Sequence, residues 1–309
     1  MIEETPMVRE AARQLVRELQ MLDGKRSIEG FSFSECHLVT ELQGMGEATA
    51  SDLAERLVLE KSTISRLCNG LLERGILVAE RDRNDKRRRL LRLSDKGVSS
   101  ALRIHRHALS QVDAALGFLN SEDRQAVAEG INRYARGLRY ARLSSSFKIR
   151  PIKRSDNARV ARIIREVMTE FGAVGSGYSI EDPEVDRMFE AYPEKDSAFF
   201  VLERDSQVVG CGGVGPLAGA QAGICELRKM YLLQEARGTG IGAQLLRRCL
   251  EHAGRLGYRQ CYLETLEHMT HARHLYRKHG FEQVDRPVGN TGHSACNYWM
   301  IKDLSGHDE

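Results

Sequence analysis

Three glycines at alternate positions form the pattern in this sequence that most clearly predicts a ligand-binding site. They are Gly238, Gly240 and Gly242, and they stand after an apolar run and before apolar residues at helical spacing. Glycine lets the backbone approach a ligand closely, and the free N–H groups at a helix start bind phosphate. The order of strand, turn and helix therefore predicts a pyrophosphate site at residues 238–242.

A glycine-rich turn of this kind is compatible with more than one ligand. A dinucleotide-binding unit needs an acidic residue about 20 residues later, and Glu264 stands near that distance. A P-loop is excluded, because no Gly-Lys-Ser or Gly-Lys-Thr follows the glycines. The remaining alternative is a tight connection between strand and helix that binds no ligand.

Length and composition indicate a protein of two domains without a membrane span. The chain has 309 residues, of which 41% are hydrophobic, and its net charge is +3. Its apolar runs are far shorter than the roughly 18 residues of a membrane span, and its acidic start is unlike a secretory signal peptide. Seven scattered cysteines, an odd number, do not indicate a disulfide framework. We therefore expect a cytoplasmic protein.

One predicted helix in the first half, at residues 61–74, has two distinct faces. Its apolar residues fall at core spacing, while polar residues recur at i, i+3, i+4 and i+7 on another side. The polar set is Ser62, Ser65, Arg66 and Asn69. Such groups read base edges and phosphates in the major groove of DNA, although a polar stripe of this kind is usually a solvated face.

A predicted β-hairpin follows this helix. Residues 76–78 and 90–93 have the apolar patterns of two strands, and residues 81–89 between them form a basic tip. A hairpin beside a helix-turn-helix is a winged helix, whose basic wing reaches phosphates or the adjacent narrow groove. The first half is therefore predicted to bind DNA.

These residues resemble the MarR family of winged-helix regulators over roughly the first 145 residues. The resemblance rests on Ser62-Thr63 with Ser65-Arg66, on Arg81 and Asp85-x-Arg87, and on Leu91-Arg92-Leu93-Ser94-x-x-Gly97. It implies double-stranded DNA as the partner. The implied contacts are Lys61, Ser62, Thr63, Ser65, Arg66 and Asn69 in the major groove, and Arg83 and Arg87 on the wing.

The resemblance also implies a homodimer formed by the first helix and two late helices. Apolar-leaning stripes are visible in both late segments. They comprise Leu102, His105, Leu109, Val112 and Leu116, and then Val127, Ile131, Tyr134 and Leu138. A dimer with half-sites about one helical turn apart would bind a pseudo-palindromic operator.

The second half resembles the GNAT superfamily of acetyl-CoA-dependent N-acetyltransferases from about residue 147 to 304. One signature is Arg237-Gly238-Thr239-Gly240-Ile241-Gly242, and the second is Ala272, Leu275, Tyr276, Lys278, Gly280 and Phe281. The resemblance assigns the phosphates at the turn to acetyl-CoA, held by residues 237–242, and removes Glu264 as a ribose ligand. Backbone N–H groups of Met230, Tyr231 and Leu232 are expected to contact the pantetheine and the thioester carbonyl.

Together these observations predict an α+β chain of two domains. Residues 1–146 would form a mostly helical winged helix-turn-helix domain, and residues 147–309 a GNAT-like α/β domain with a mixed central sheet. The boundary is placed at the polar residues 144–146.

Acetyl transfer to an amine needs a neutral amine, a polarised carbonyl and a proton for the leaving thiolate. Tyr276 resembles the general acid of the family, and a phenol of pKa near 10 suits a thiol of lower pKa. Its alternative is a packing role. Glu226, four residues before Met230, is the expected acceptor of the amine proton, directly or through water, unless it only pairs with Arg228 or Lys229.

The acceptor pocket is expected to use Asn290, Thr291 and His293 for a small amine or amino acid, with a protein lysine or a drug as alternatives. Met269 stands where the family frequently has Asn, which puts one cofactor contact in doubt. Histidines 268, 271 and 274 have helical spacing that could bind a metal, but the chemistry needs none, and no metal site is predicted.

We therefore expect a bifunctional transcriptional regulator and N-acetyltransferase. The alternatives are a regulator whose second domain senses a ligand without turnover, and an acetyltransferase whose first domain serves only to dimerise.

Overall fold

The computed structural model describes residues 2–23, 27–81 and 88–305. By internal contacts the chain divides into two units, Met1–Val127 and Ala128–Glu309. This division falls inside a helix, and the domain boundary after residue 146 stays a prediction. The described helices contain none that is long and apolar enough to cross a membrane.

The N-terminal unit combines helices with one small sheet. The helices are α1 (Thr5–Glu18), α2 (Phe33–Met45), α3 (Ala50–Leu57), α4 (Lys61–Glu73) and α5 (Asp95–Leu116), and α6 (Ser121–Ser144) begins there. The strands are β1 (Glu47–Ala48), β2 (Leu77–Arg81) and β3 (Arg89–Leu93), which pair antiparallel in the order β1-β3-β2. The predicted helix at 61–74 and the hairpin are present, whereas β1 was not predicted.

Side-chain caps start the helices that lead to α4. Ser32 and Glu35 form a capping box at the start of α2, and Thr49 and Asp52 form another at the start of α3. Each box satisfies two backbone N–H groups that a helix start leaves without partners. After α3 the chain turns through Val58, whose φ is +56°, and α4 follows as the second helix of a helix-turn-helix.

Ser94 joins the hairpin to α5. Its hydroxyl donates to the Gly75 carbonyl oxygen at 2.7 Å and accepts from the Gly97 N–H at 3.0 Å, which caps the helix. Gly97 lies so close to the hairpin that a Cβ there would stand 2.2 Å from the Ile76 carbonyl oxygen. Packing therefore explains the Ser94-x-x-Gly97 pattern.

The C-terminal unit is built on a sheet of seven strands. These are β4 (Phe147–Pro151), β5 (Ala198–Arg204), β6 (Gln207–Pro216), β7 (Ile224–Leu232), β8 (Gln260–Thr265), β9 (Glu282–Val284) and β10 (Tyr298–Asp303). Their order is β4-β5-β6-β7-β8-β10-β9, and of the described pairs β7 with β8 is parallel and the others are antiparallel. The predicted mixed sheet is confirmed.

Four helices accompany this sheet, namely α7 (Asn157–Glu170), α8 (Met188–Ala191), α9 (Ile241–Arg255) and α10 (Thr270–Lys278). Both α7 and α9 contact β6, whose residues from Val208 to Gly215 are all buried, as expected for a strand covered on both faces. Between α7 and β5 the chain forms a 3-10 turn (Val185–Arg187) that leads directly into the short α8.

We predict that Gly97→Ala destabilises the protein, because the new methyl group would collide with the Ile76 carbonyl oxygen. Overpacking of this kind costs about 1–3 kcal/mol. Gly44→Ala is the matched control, since a Cβ at this helical glycine meets nothing within 4 Å and should stabilise α2 by roughly 0.5–1 kcal/mol. Urea unfolding of both variants measures the free energies, and equal midpoints would contradict the packing argument.

Candidate active site

The candidate site forms where β7 and β8 part. Their parallel pairing joins Ile224 to Gln260, Cys225 to Cys261 and Glu226 to Tyr262. After Glu226 the described residues of β7 pair with β6 but no longer with β8. The register between β7 and β6 shifts at a bulge in β7 opposite residues 211–213. Lys229 in this bulge has a φ of +53°. The later half of β7 therefore borders an opening instead of a neighbouring strand.

A cavity of about 90 Å³ occupies this opening. One wall is apolar and includes Val167, Met168 and Phe171 from α7 and the segment after it, together with Leu266 and Met269. The other wall is polar and includes Glu226, Arg228, Lys229, Glu264 and His293. An apolar channel that ends against charged groups suits a ligand with a long uncharged arm and a reactive end.

Tyr276 on α10 reaches this cavity. It is 7% exposed, and its ring contacts Phe281 edge-on at 5.8 Å between centroids. Burial raises the pKa of Tyr276 above its ordinary value. The phenol is therefore protonated at neutral pH, as an ordinary tyrosine is, and it is a weaker acid than an exposed one. Its role as general acid stays a prediction.

The glycine turn lies at the start of α9. Gly238 and Gly240 have φ values of +70° and +83°, a region that side chains other than glycine rarely adopt. A Cβ on Gly240 would also stand 2.8 Å from Cγ of Tyr140, which belongs to the same unit. The cradle formed by these residues therefore requires glycine for its positive φ values, and at Gly240 also because the Tyr140 ring fills the space beside it. The helix start behind it favours a phosphate group.

Arg237 stabilises this turn with its side chain. Its Nε donates to the Leu232 carbonyl oxygen at 2.8 Å, and its terminal nitrogens donate to both carboxylate oxygens of Glu170 at 2.5 and 2.7 Å. The Thr239 hydroxyl donates to the Ala236 carbonyl oxygen at 2.7 Å. Both side chains predicted to bind the cofactor therefore hold the turn's conformation, while its backbone N–H groups remain the predicted phosphate donors.

The predicted cofactor residues of β7 border the cavity. Met230 and Tyr231 line it, and Leu232 leads from it towards the turn. The Tyr231 hydroxyl lies 2.9 Å from the Ser179 hydroxyl, and burial raises the pKa of Tyr231. Ile241 and Gly242 form the first residues of α9.

Glu226 is paired with Arg228, which was the alternative raised from the sequence. The Arg228 Nε donates to Glu226 Oε2 at 2.6 Å. Burial raises the pKa of Glu226, and Arg228 opposes that effect. The carboxylate lines the cavity but has a structural partner as well.

A second group of charges surrounds Asp182, which sequence reasoning missed. The buried Lys229 ammonium donates to Asp182 and, at 3.2 Å, to the Ser179 carbonyl oxygen. His293 Nε2 lies 2.9 Å from Asp182 Oδ2. Burial acts to raise the pKa of Asp182, but the hydrogen bonds from His293 and Lys229 outweigh it and hold the pKa below its ordinary value. For His293 burial acts to lower the pKa, and the bond to Asp182 outweighs it, so the pKa is raised.

All three predicted acceptor residues lie in the connection between β9 and β10, and two of them are at or beside the cavity. His293 lines the cavity, and the Thr291 hydroxyl donates to Glu264 Oε2 at 2.9 Å. Asn290 instead lies against the connection between β6 and β7, where its N–H donates to the Ala218 carbonyl oxygen at 2.7 Å. Its role in acceptor binding stays a prediction.

All seven cysteines are free. Cys296 lines the cavity and is partly exposed, whereas the other six are buried. Burial raises the pKa of Cys296 to about 12, so its thiol keeps its proton. Within the described ranges no group of three or more His, Cys, Asp or Glu side chains is arranged to hold a metal.

In the N-terminal unit, α4 presents the polar face predicted from its spacing. Lys61, Ser62, Ser65, Arg66 and Asn69 are exposed, Thr63 is half-buried, and Ile64, Cys68 and Leu71 are buried. An Arg66 nitrogen donates to the Thr63 hydroxyl at 3.4 Å. Asp85, Arg83 and Arg87, predicted for the wing, lie outside the residues that the structure describes.

Large apolar side chains are exposed on α5 and α6. They include Leu102, Leu109, Val112, Ile131 and Leu138. Helix α1 buries none of its residues within the chain. Unpartnered apolar faces of this extent mark interaction surfaces.

Comparison with known proteins identifies both halves of the chain. Residues 195–283 match the family described as the acetyltransferase (GNAT) domain, and residues 29–88 match the MarR family. The chain is 39% identical over 157 residues to an uncharacterised N-acetyltransferase, YjgM, of Escherichia coli strain K12, covering 50% of this chain and 94% of that protein.

A second curated relative agrees with this match, and the chain is also similar to solved structures. An IAA acetyltransferase of Azospirillum brasilense is 36% identical over 110 residues, 35% of this chain and 69% of that protein. A phosphinothricin acetyltransferase of the GNAT superfamily from Sinorhizobium meliloti, solved in complex with AcCoA, has a TM-score of 0.43 at 21% identity, over 52% of this chain and 89% of that one. This chain thus belongs to the GNAT family of N-acetyltransferases and carries a MarR-family domain ahead of its acetyltransferase domain. Both resemblances are confirmed.

The contact between Asp182 and His293 predicts a stability that depends on pH. The pKa of Asp182 is lowered in the folded protein, so this group stabilises the fold at pH values above its ordinary pKa near 3.9. The pKa of His293 is raised, so this group stabilises the fold at pH values below its ordinary pKa near 6.5. The His293 contribution is lost as pH rises through its folded pKa. We therefore expect His293→Asn to lower the free energy of unfolding more at about pH 6 than at about pH 9. Denaturant titrations measure this difference, with the exposed His274→Asn as control, and equal losses at both pH values would contradict it.

Proposed function

We propose that this chain is an acetyl-CoA-dependent N-acetyltransferase for a small amine or amino acid and also a DNA-binding transcriptional regulator. The observation that carries the enzymatic part is the position of Tyr276, a buried phenol at the cavity where β7 and β8 part. The small volume of the cavity supports a small acceptor. Both DNA and the acetyl donor are available in the cytoplasm, where we propose that it works.

The fit of acetyl-CoA to this unit rests on two observations. The cradle at residues 238–240 tolerates no side chain and lies at a helix start, which suits a pyrophosphate. The later half of β7 borders the cavity without a neighbouring strand on that side in the described pairing. We propose that the backbone N–H groups of residues 230–232 hydrogen-bond the pantetheine arm and polarise the carbonyl.

Acetyl-CoA supplies an acetyl group that is activated as a thioester. In the proposed reaction the Tyr276 hydroxyl gives its proton to the departing thiolate sulfur. The amine must lose a proton before it attacks, and the polar wall of the cavity is where that proton goes. Glu226 is one candidate acceptor, directly or through water, although its oxygen already accepts from Arg228.

A Tyr276→Phe variant tests the acid role. We expect kcat for coenzyme A release to fall by about 10²–10⁴-fold, because general acid catalysis contributes on that order, while binding of acetyl-CoA stays nearly unchanged. The assay uses acetyl-CoA with the standard L-amino acids, putrescine and tryptamine as acceptors. Tyr258→Phe is the control, since that hydroxyl donates to the Asp196 carbonyl oxygen away from the cavity. Wild-type rates in Tyr276→Phe would remove the assignment.

The regulatory part of the proposal rests on α4. Its exposed hydroxyls, amide and arginine lie together on one face, and its opposite face is buried in the core of the unit. We propose that this face enters the major groove of double-stranded DNA. The exposed apolar faces of α1, α5 and α6 support a homodimer, which would bind a pseudo-palindromic operator.

Selection from a random duplex library tests this part. We expect wild type to enrich two related half-sites, and Arg66→Ala to weaken binding of the selected duplex by about 1–3 kcal/mol and, if Arg66 contacts a phosphate, to reduce the salt slope by about one. Arg162→Ala, an exposed arginine on α7, is the control. If no duplex outcompetes bulk genomic DNA, the winged-helix domain is not a sequence-specific regulator and serves for dimerisation.

The alternative of a ligand sensor without turnover makes a different prediction. Such a protein would bind acetyl-CoA but release no coenzyme A with any acceptor. The position of the Tyr276 phenol at the cavity favours the enzyme, because a sensor has no need for a proton donor there.

A further inference from the structure

One imidazole, that of His293, is found among the described residues that line the cavity. Its Nε2 lies 2.9 Å from Asp182 Oδ2. The pKa of Asp182 is held below its ordinary value, so at neutral pH the carboxylate is ionised and can only accept. The proton of a neutral His293 therefore resides on Nε2, and Nδ1 carries the free electron pair.

The free electron pair of His293 faces a second carboxylate. Nδ1 lies 3.8 Å from Glu264 Oε2, which also accepts a hydrogen bond from Thr291. The other Glu264 oxygen accepts from the Tyr262 hydroxyl at 2.7 Å. Both His293 Nδ1 and Glu264 Oε2 accept hydrogen bonds, and together they attract an N–H group to the space beside them. An ammonium group bound there would donate to both Nδ1 and the carboxylate.

The charges around His293 come from three elements. Asp182 follows the 3-10 helix Ser179–Glu181, Glu226, Arg228 and Lys229 lie on β7, and Glu264 lies on β8. These groups are three carboxylates and the basic side chains of Arg228 and Lys229, and an oxygen of a fourth carboxylate, Glu184 Oε1, lies 3.8 Å from the Lys229 Nζ. When His293 is neutral, these groups together carry an excess of negative charge, which favours binding of an ammonium. The total charge of the groups and the bound amine does not change when the proton moves from the amine to His293. The Cys296 thiol stays protonated.

We propose that His293 is the catalytic base that takes the proton of the acceptor amine, with Asp182 as its positioning residue. This inference rests on the proposed acetyl transfer. The N–H bond of the bound ammonium breaks and its proton bonds to Nδ1, and the electron pair left on nitrogen attacks the thioester carbon. The C–S bond breaks, and the thiolate sulfur takes the Tyr276 proton. As the amide forms, its nitrogen loses a second proton, which returns to the Tyr276 oxygen, so the products are the amide, the thiol of coenzyme A and a protonated His293.

Glu226 is less suited to this step. Its Oε2 already accepts from the Arg228 Nε at 2.6 Å, so the oxygen that would take the proton is engaged, although burial raises the pKa of this carboxyl. A protonated His293, by contrast, lies between the carboxylates of Asp182 and Glu264. The imidazole thus becomes more basic by the same contacts that orient it.

Kinetic measurements on the full-length chain separate catalysis from structure. We expect His293→Ala to lower kcat by about 10²–10⁴-fold with a small change in the KM for acetyl-CoA, and added imidazole to restore part of the rate. The acidic limb of the wild-type pH profile, which reports protonation of the base, should vanish in His293→Asn and persist in Glu226→Gln. His274→Asn is the control. A limb that persists in His293→Asn and vanishes in Glu226→Gln would overturn the proposal.

A second measurement needs no acceptor. NMR titration of the imidazole resonances in wild type should give His293 a pKa above the ordinary value near 6.5, and Asp182→Asn should lower it. An unchanged pKa in Asp182→Asn would overturn the assignment of Asp182 and His293 as a pair. Failure of the proposed function looks different: wild type would then release no coenzyme A with any amine of the panel, whatever the titration shows.

Discussion

The buried ammonium of Lys229 is the constraint on which the polar half of the site depends. The bulge in β7 turns this residue to a φ of +53°, and its side chain is 1% exposed. An uncompensated buried charge is strongly destabilising, so Asp182 and the Ser179 carbonyl must lie beside it. Asp182 in turn holds His293, which fixes the segment between β9 and β10. Two loops far apart in the chain are therefore positioned by one strand irregularity, and that irregularity accompanies the parting of β7 from β8.

Local spacing was enough to predict the parts of the site that lie within one segment. The glycine turn, the two faces of α4 and the position of Tyr276 within its motif are all encoded within a few residues of chain. Asp182 and His293 are 111 residues apart, and no periodicity connects them. The direction of Glu226 was equally unreadable, because the bulge that follows it breaks the alternation on which a strand's side-chain pattern depends. The two-residue β1 is too short to carry any pattern of its own.

Arg237 shows how a residue of a ligand-binding motif also holds the turn to which it belongs. An arginine before a phosphate turn reads as a ligand for the phosphate, yet its guanidinium is committed to both oxygens of Glu170 and to the Leu232 carbonyl. Each of these contacts fixes the path of the turn between β7 and α9. The side-chain contacts keep the backbone N–H groups of the turn in place, and these N–H groups are the ones proposed to bind the phosphate.

The distribution of cysteines has a practical consequence for anyone who studies this protein. Coenzyme A is a thiol, and its release is commonly followed with reagents that modify thiols. Six of the seven protein thiols are buried, so they contribute little background to such a signal. Cys296 differs, because it is partly exposed and lines the cavity. Because burial keeps its thiol protonated, Cys296 should also react slowly with such reagents, and the signal from released coenzyme A is then read against a low background from the protein.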